Sequence, residues 1–188
     1  VGTGHIGKAL TRILLGLGCR VLGYDVRQDP ELAECAEFAY TSLDALLHGA
    51  DIITLHVPLL PQTEDLINAE AIAKMKPGVM LINTSRGGLI DTQALIEALK
   101  NGQVGSAGLD VYEEESAYFF EDFSGRVITD DLLARLLTFN NVIVTSHQAF
   151  LTQEALDNIA DTTFAEFDAA MADIDRLLAR SNTPVLRE

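Results

Sequence analysis

Apolar positions in this chain change period along its length, from helical spacing to short unbroken runs and back, and the changes lay out its elements. Ile6, Leu10, Ile13, Leu14 and Leu17 keep helical spacing through residues 8–17, and Gly18 ends that helix where a residue free to take positive φ is wanted. Val21-Leu22-Gly23-Tyr24 follows as a strand. Asp29-Pro30 opens a short helix to about Cys35, Phe38-Ala39-Tyr40 forms the next strand, and Ser42 caps a helix carrying Leu43, Leu46 and Leu47. Residues 51–55 read as a buried strand that runs into His56-Val57-Pro58. The pattern then repeats: helix at 68–75, strand at 79–82, helix at 91–100 and strand at 104–109. Strands alternating with short helices across brief loops predict an α/β fold with a doubly wound parallel sheet and right-handed crossovers.

Residues 113–131 break this rhythm, because Tyr118-Phe119-Phe120 stands among Glu113, Glu114, Glu115 and Asp122, and an irregular excursion is expected there. Asp130 or Asp131 then caps a short helix through Leu137, and Val142-Ile143-Val144 is the last strand. From Thr152 the residues Leu156, Ile159, Phe164, Phe167, Met171, Ile174 and Leu178 recur every three to five positions, which predicts one long amphipathic helix with Pro184 beyond its end. The expected division is an α/β sheet domain at 1–150 and a C-terminal helix at 151–188.

The residues before the first helix give the sheet a purpose. Val1-Gly2-Thr3-Gly4-His5-Ile6-Gly7 reads as the end of a strand turning into a helix, with Gly2, Gly4 and Gly7 in G-x-G-x-x-G spacing. The first glycine permits the turn, the second lets a pyrophosphate approach the backbone, and the third lets helix pack on strand. Asp25 closes the following strand 18 residues after Gly7, near the ~20 expected of a carboxylate that binds an adenosine ribose. Together they predict a Rossmann-type domain that takes NAD rather than NADP, since a carboxylate there repels a 2′-phosphate; Arg27 nearby works against that discrimination.

Composition narrows the partners. Thirteen basic against 28 acidic residues give a formal charge of −15, which argues against nucleic acid or an anionic membrane surface. No stretch is long and apolar enough to span a membrane. Cys19 and Cys35 have neither metal-ligand nor redox-motif spacing, which suits free thiols in a reducing, cytoplasmic compartment. Without an initiator methionine, and with its first strand cut to Val1, the chain reads as a fragment of a longer protein, lacking the middle of its sheet and unstable alone.

In open α/β sheets ligands sit at the carboxyl ends of strands. Past successive strands come His56-Val57-Pro58, Asn83-Thr84-Ser85-Arg86-Gly87-Gly88, Asp110-Val111-Tyr112-Glu113-Glu114-Glu115 and Ser146-His147-Gln148-Ala149-Phe150. An arginine can hold a carboxylate by two parallel hydrogen bonds, a histidine can pass a proton near neutral pH, and a carboxylate behind it favours the imidazolium.

Residues 2–7, 84–88, 108–115 and 146–150 resemble the D-isomer-specific 2-hydroxyacid dehydrogenases, and the stretch at 118–122 with Ser-His-Gln-Ala-Phe-Leu-Thr at 146–152 is similar to the fermentative D-lactate dehydrogenases among them. The resemblance covers essentially the whole chain. It implies that Arg86 binds the substrate carboxylate and carbonyl, that His147 is the acid/base, that Glu115 orients it, and that Phe150 joins Arg86 and His147 on the substrate. For the cofactor it implies Gly2, Gly4, His5, Ile6 and Gly7 at the pyrophosphate, Asp25 at the ribose, Val57 and Pro58 along the cleft, Thr84, Ser85 and Arg86 by the nicotinamide, and Asp110 at the carboxamide. Thr63 takes a cofactor position where relatives often carry Asn. His56 matches no catalytic role. The implied reaction is hydride transfer between NAD and C2 of a small 2-keto or 2-hydroxy acid, pyruvate and D-lactate first, in a homo-oligomer (dimer or tetramer) that needs no metal. The C-terminal helix is then the piece returning to a substrate domain that mostly precedes this chain. A phosphoglycerate or glyoxylate/hydroxypyruvate reductase of the same family, and an NAD-sensing corepressor on the same fold, are the alternatives.

Overall fold

The structure is a computed structural model that describes residues 1–120, 122–123 and 125–181, with side chains of the last helix through Arg176; Pro184 and the side chain of Leu178 lie outside the described residues. The chain forms two compact units, Val1–His147 and Gln148–Glu188. In the first unit the order is α1 (His5–Gly16), β1 (Val21–Gly23), α2 (Pro30–Ala33), β2 (Phe38–Tyr40), α3 (Leu43–Gly49), β3 (Ile52–Leu55), α4 (Ala69–Ala73), β4 (Val79–Asn83), α5 (Thr92–Asn101), β5 (Val104–Leu109), α6 (Asp131–Leu136) and β6 (Val142–Val144). The second unit carries α7 (Gln153–Ser181), 29 residues long, whose apolar Ile159, Phe164, Phe167, Met171 and Ile174 are exposed.

All strand pairs are parallel, in a two-stranded sheet β1-β2 and a four-stranded sheet β3-β4-β5-β6. Residues 1 and 2 join them. The Val1 nitrogen donates to Thr54 O at 2.8 Å, its carbonyl accepts from His56 N at 2.8 Å, and Gly2 N donates to Tyr24 O at 2.8 Å. The spatial order is therefore β2, β1, residues 1–2, β3, β4, β5, β6. The chain leaves residues 1–2 toward one edge and returns across them to β3, so the order reverses there, which is where a doubly wound sheet opens a ligand crevice.

Helix boundaries follow local chemistry. Asp29, Ser42, Asn68, Asp91 and Asp130 each accept backbone N–H bonds at the start of α2, α3, α4, α5 and α6, and Thr152 does so for α7. Helix α1 starts on Gly4 with no side-chain cap and no acidic residue in its first turn. At its far end Gly18, at φ 80°, donates to Leu15 O, and Cys19 N donates to Leu14 O, the paired bonds of a Schellman stop. Helix α2 is shorter than its sequence suggested, and Cys35 lies beyond it.

Two expectations about burial change. In α1 the buried positions are Gly7 and Thr11, whereas Ile6, Ile13 and Leu17 are exposed, because close packing of Gly7 on the first turn decides which face of the helix meets the sheet. The apolar strands β3 and β4 bury alternate residues rather than all of them. Ile53, Leu55, Val79 and Leu81 join a core with Leu46, Leu47, Ile72, Leu95 and Ile96, while the register partners Ile52 and Met80 remain exposed.

His56, just past β3, places its Nε2 2.8 Å from Thr54 Oγ1. Burial pushes its pKa down to about 4. A histidine in the unfolded chain titrates near 6.5 and so binds more protons than the folded one. Its contribution is neutral above that value, and stability falls as pH drops from about 6.5 toward 4. The His56 ring carbons, followed by NMR, should titrate with a midpoint near 4, and His56→Gln should flatten the acid limb of the stability curve; a midpoint above 6 would contradict the burial described.

Candidate active site

The crevice begins at the glycine turn. Gly2 has φ 87°, and a Cβ on it would stand 2.6 Å from His56 O. A Cβ on Gly7 would strike Gly2 O, so α1 sits as near the turn as backbone allows. Around Gly4 the space is open: a Cβ there would meet nothing within 4 Å. An uncapped helix start, with the backbone of Gly4, His5 and Ile6 exposed, presents N–H groups and a positive dipole end to an anion. The cradle fits a pyrophosphate.

Asp25 follows β1 on the same side. Thr3 N donates to its Oδ2 at 2.6 Å, Thr3 Oγ1 to the same oxygen at 3.2 Å, and Arg27 N to Oδ1 at 2.9 Å. Burial works to raise the carboxyl, but these bonds and one from Val26 N outweigh it and hold Asp25 below the usual carboxylate range. It is an ionised acceptor beside the glycine turn, as a ribose partner must be. Val57 lies against Gly2, and its carbonyl accepts from Ser85 Oγ at 2.7 Å. Pro58 is exposed, and its carbonyl accepts from Thr63 Oγ1 at 2.7 Å. The Thr63 hydroxyl also accepts from Leu60 N at 2.8 Å, so it closes the loop at 58–63 with its own proton committed to backbone.

The reactive groups come from the ends of β4, β5 and β6. Asn83, 1% exposed, donates from Nδ2 to Arg86 O at 2.8 Å and accepts from Ser85 N at 3.0 Å, which folds residues 83–86 into a tight presenting turn. Thr84 and Arg86 are exposed on it. The Arg86 Nη1 donates to Ser85 O at 2.7 Å, and among the described residues its guanidinium pairs with no carboxylate. Gly87 packs against the backbone of Tyr112 and Glu113, binding this turn to the one after β5.

After β5, Asp110 is buried and accepts from Thr145 Oγ1. Its carbonyl accepts from His147 N. Ser146 and His147 both take φ near 54°, a strained left-handed bend for residues with side chains, and the bend turns the imidazole toward the β5 loop. There His147 Nδ1 lies 2.9 Å from Glu115 Oε1, with both side chains mostly covered. Glu115 Oε2 accepts from Tyr112 N at 3.2 Å, so both its oxygens are placed. Glu113 serves elsewhere, accepting from Thr92 N at 3.0 Å at the start of α5. Tyr112 donates to Asp130 Oδ2 at 2.6 Å and anchors the loop. Phe150 belongs to the second unit.

The structure therefore draws together Gly2, Gly4, Gly7 and Asp25 at one end, and Glu115, His147 and Asp110 at the other. Sequence reasoning passed over Asn83, Thr145, Tyr112 and Asp130 as positioning groups, and Thr3 and Tyr40 beside Asp25. Asn83 alone carried a signal, being a polar residue ending an apolar strand.

Comparison with known proteins identifies the family. Residues 1–149 match the family model described as D-isomer specific 2-hydroxyacid dehydrogenase, NAD binding domain. A D-lactate dehydrogenase of Curvularia clavata is 50% identical over 168 residues, 89% of this chain and 48% of that protein. The solved pyruvate reductase of Chlamydomonas reinhardtii superposes with a TM-score of 0.87 at 50% identity, covering 92% of this chain and 52% of that one. A D-lactate dehydrogenase from Aquifex aeolicus, complexed with NAD and lactic acid, gives a TM-score of 0.83 at 37% identity over 100% of this chain and 56% of that one. The chain spans about half the length of these relatives. It belongs to the D-isomer-specific 2-hydroxyacid dehydrogenases, and its residues 1–149 are the family's NAD-binding domain.

Proposed function

We propose that the protein is an NAD-dependent D-lactate dehydrogenase that reduces pyruvate, with Arg86, Glu115 and His147 as its catalytic groups. The observation that carries the reading is the His147–Glu115 pair at 2.9 Å, held past β6 and β5 beside the turn that presents Arg86. The relatives named for D-lactate and pyruvate chemistry support the choice of substrate.

Reduced nicotinamide, when bound, supplies a hydride to C2 of the keto acid. His147 engages Glu115 through Nδ1, and its ring donates a proton to the ketone oxygen as that oxygen gains charge. Glu115 fixes the ring. Arg86, exposed on its turn, pairs with the substrate carboxylate and offsets charge developing at the carbonyl. Phe150 completes the substrate contacts. On the cofactor, Gly2, Gly4, His5, Ile6 and Gly7 receive the pyrophosphate, Asp25 the ribose, and Val57, Pro58 and Thr63 line the cleft. Thr84, Ser85 and Asp110 surround the nicotinamide. The same reading makes the protein a cytoplasmic homo-oligomer, supported by its free Cys19 and Cys35 and by an acidic balance that disfavours nucleic acid and anionic membranes. Among the described residues no helix is long and apolar enough to cross a membrane. Helix α7, Gln153–Ser181, serves as a helix of the substrate domain.

The test is a substrate screen of the intact protein with pyruvate, hydroxypyruvate and glyoxylate. Pyruvate should give the highest kcat/KM, and a clear preference for either other acid would reassign the substrate within the family. Arg86→Lys keeps the charge but loses the fork, and should lower kcat/KM for pyruvate about 100-fold, or ~2.7 kcal/mol. Near-normal turnover would make Arg86 a bystander.

Glu113 and Glu115 can be told apart by a parallel series. His147→Asn should cost on the order of 10²–10⁴ in kcat while NADH still binds, and Glu115→Gln should cost on the order of 10². Glu113→Gln, which weakens only the start of α5, should cost ~1 kcal/mol of stability with little change in kcat. Loss of activity in the Glu113 variant with retention in the Glu115 variant would exchange their roles.

A further inference from the structure

Tyr40 stands 15 residues beyond Asp25, at the end of β2, and its hydroxyl reaches into the ribose end of the crevice. Asp29 N lies 2.7 Å from Tyr40 Oη, and Tyr40 Oη lies 2.9 Å from Thr3 Oγ1. Thr3 Oγ1 in turn lies 3.2 Å from Asp25 Oδ2. The direction of every proton in this line is settled by its two ends. A backbone N–H can only donate, so Tyr40 accepts from Asp29 and has its own proton left for Thr3. An ionised carboxylate can only accept, so Thr3 accepts from Tyr40 and donates to Asp25.

Both ends are anchored. Asp29 caps α2 through Glu31 N and Leu32 N and holds Lys8 Nζ at 2.7 Å, tying the loop after β1 to α1. The Tyr40 ring stands edge-on to Phe38 at 4.8 Å, and a side chain on Gly23 would run into both rings, so the phenol has little freedom to turn. Asp25 Oδ2 thus takes two bonds from Thr3 and Oδ1 takes one from Arg27 N, with a further backbone bond from Val26 N, so the carboxylate is held at both oxygens.

We infer that Tyr40 and Thr3 are specificity-positioning residues for the coenzyme: their hydroxyls lock the Asp25 carboxylate in the ribose-accepting orientation and so enforce preference for a 2′-hydroxyl over a 2′-phosphate. If the carboxylate were loose, it could swing aside and let the exposed Arg27 side chain receive a 2′-phosphate. Locked, it keeps a negative charge where that phosphate must go. The inference rests on the assignment of Asp25 to the ribose.

Calorimetric titration of the intact protein with NADH, NADPH and ADP-ribose tests it. Tyr40→Phe and Thr3→Val, which keep shape and the Thr3 N–H, should each weaken NADH and ADP-ribose about fivefold, the scale of one ordinary hydrogen bond. NADPH should weaken less or tighten, so that the NADH:NADPH preference falls. The double variant should be little worse than either single one, because both break the same line. Thr3→Ser should restore the preference. Equal losses for NADH and NADPH, or a lowered melting temperature with unchanged dissociation constants, would reduce both residues to structural ones. Asp25→Ala separates the two levels. If it leaves the NADH:NADPH preference intact, the ribose assignment falls; if it abolishes the preference while Tyr40→Phe and Thr3→Val do not, only the present inference falls.

Discussion

The approach of Gly7 to Gly2 is the constraint on which the rest of the site depends. No Cβ fits between the helix and the turn, so α1 is held against the sheet by backbone contact rather than by an apolar seam. That contact aims the uncapped start of α1 into the crevice between the end of residues 1–2 and β3. It also places Thr3 where its N–H and hydroxyl both reach Asp25. Adding a methyl group at Gly7 would push the helix outward and lose the anion cradle and the carboxylate's partners in one movement. The burial of Gly7 and Thr11 at the expense of Ile6, Ile13 and Leu17 is the same constraint seen from the other side of the helix.

At the opposite end the geometry is built by groups with two hydrogen-bonding hands. Asn83 joins Ser85 N to Arg86 O, and Glu115 joins Tyr112 N to His147 Nδ1. Each leaves no unspent rotamer, which is how a loop residue acquires the precision of one on a strand. The left-handed bend at Ser146 and His147 costs of order 1 kcal/mol or more per residue. The backbone bond from His147 to Asp110 and the ring's bond to Glu115 offset that cost, so the strain holds only while the β5 loop is in place.

What could be read from sequence was whatever depends on neighbours along the chain. Alternating periods gave every strand, and the cap residues Ser42, Asn68, Asp91 and Asp130 gave helix starts to within a residue. The glycine spacing and Asp25 gave the cradle, because a turn, a helix start and the next strand end are consecutive. The buried face of α1 was not legible, since hydrophobic periodicity assumes that apolar area chooses the buried side, and here a backbone contact chose it. Tyr40 and Thr3 are separated by 37 residues, and Thr145 and Asp110 by 35. No local pattern marks such pairs, because only the parallel order of the sheet brings strand ends of distant segments side by side. Glu113 and Glu115 show the limit most clearly: identical in type and two residues apart, they differ in their partners solely through what the turn after β5 places opposite each one.

The charge of the chain adds a further consequence. A formal −15 repels both a dinucleotide and the proposed keto acid at long range. At physiological ionic strength that repulsion decays over about 8 Å, so attraction has only to prevail inside the crevice. Within it the positive elements are the N–H groups at the start of α1 and the guanidinium of Arg86, one fixed by helix geometry and the other presented by the Asn83 turn. Neither is cancelled by an acidic side chain: α1 has no acidic residue in its first turn, and Arg86 rests on a backbone carbonyl. Lys8, by contrast, is spent on Asp29 and Glu31, where it ties α1 to the loop after β1. The acidic surface and the local cations thus divide the work, the first setting which molecules stay away and the second setting which anions are held, and in what order along the crevice.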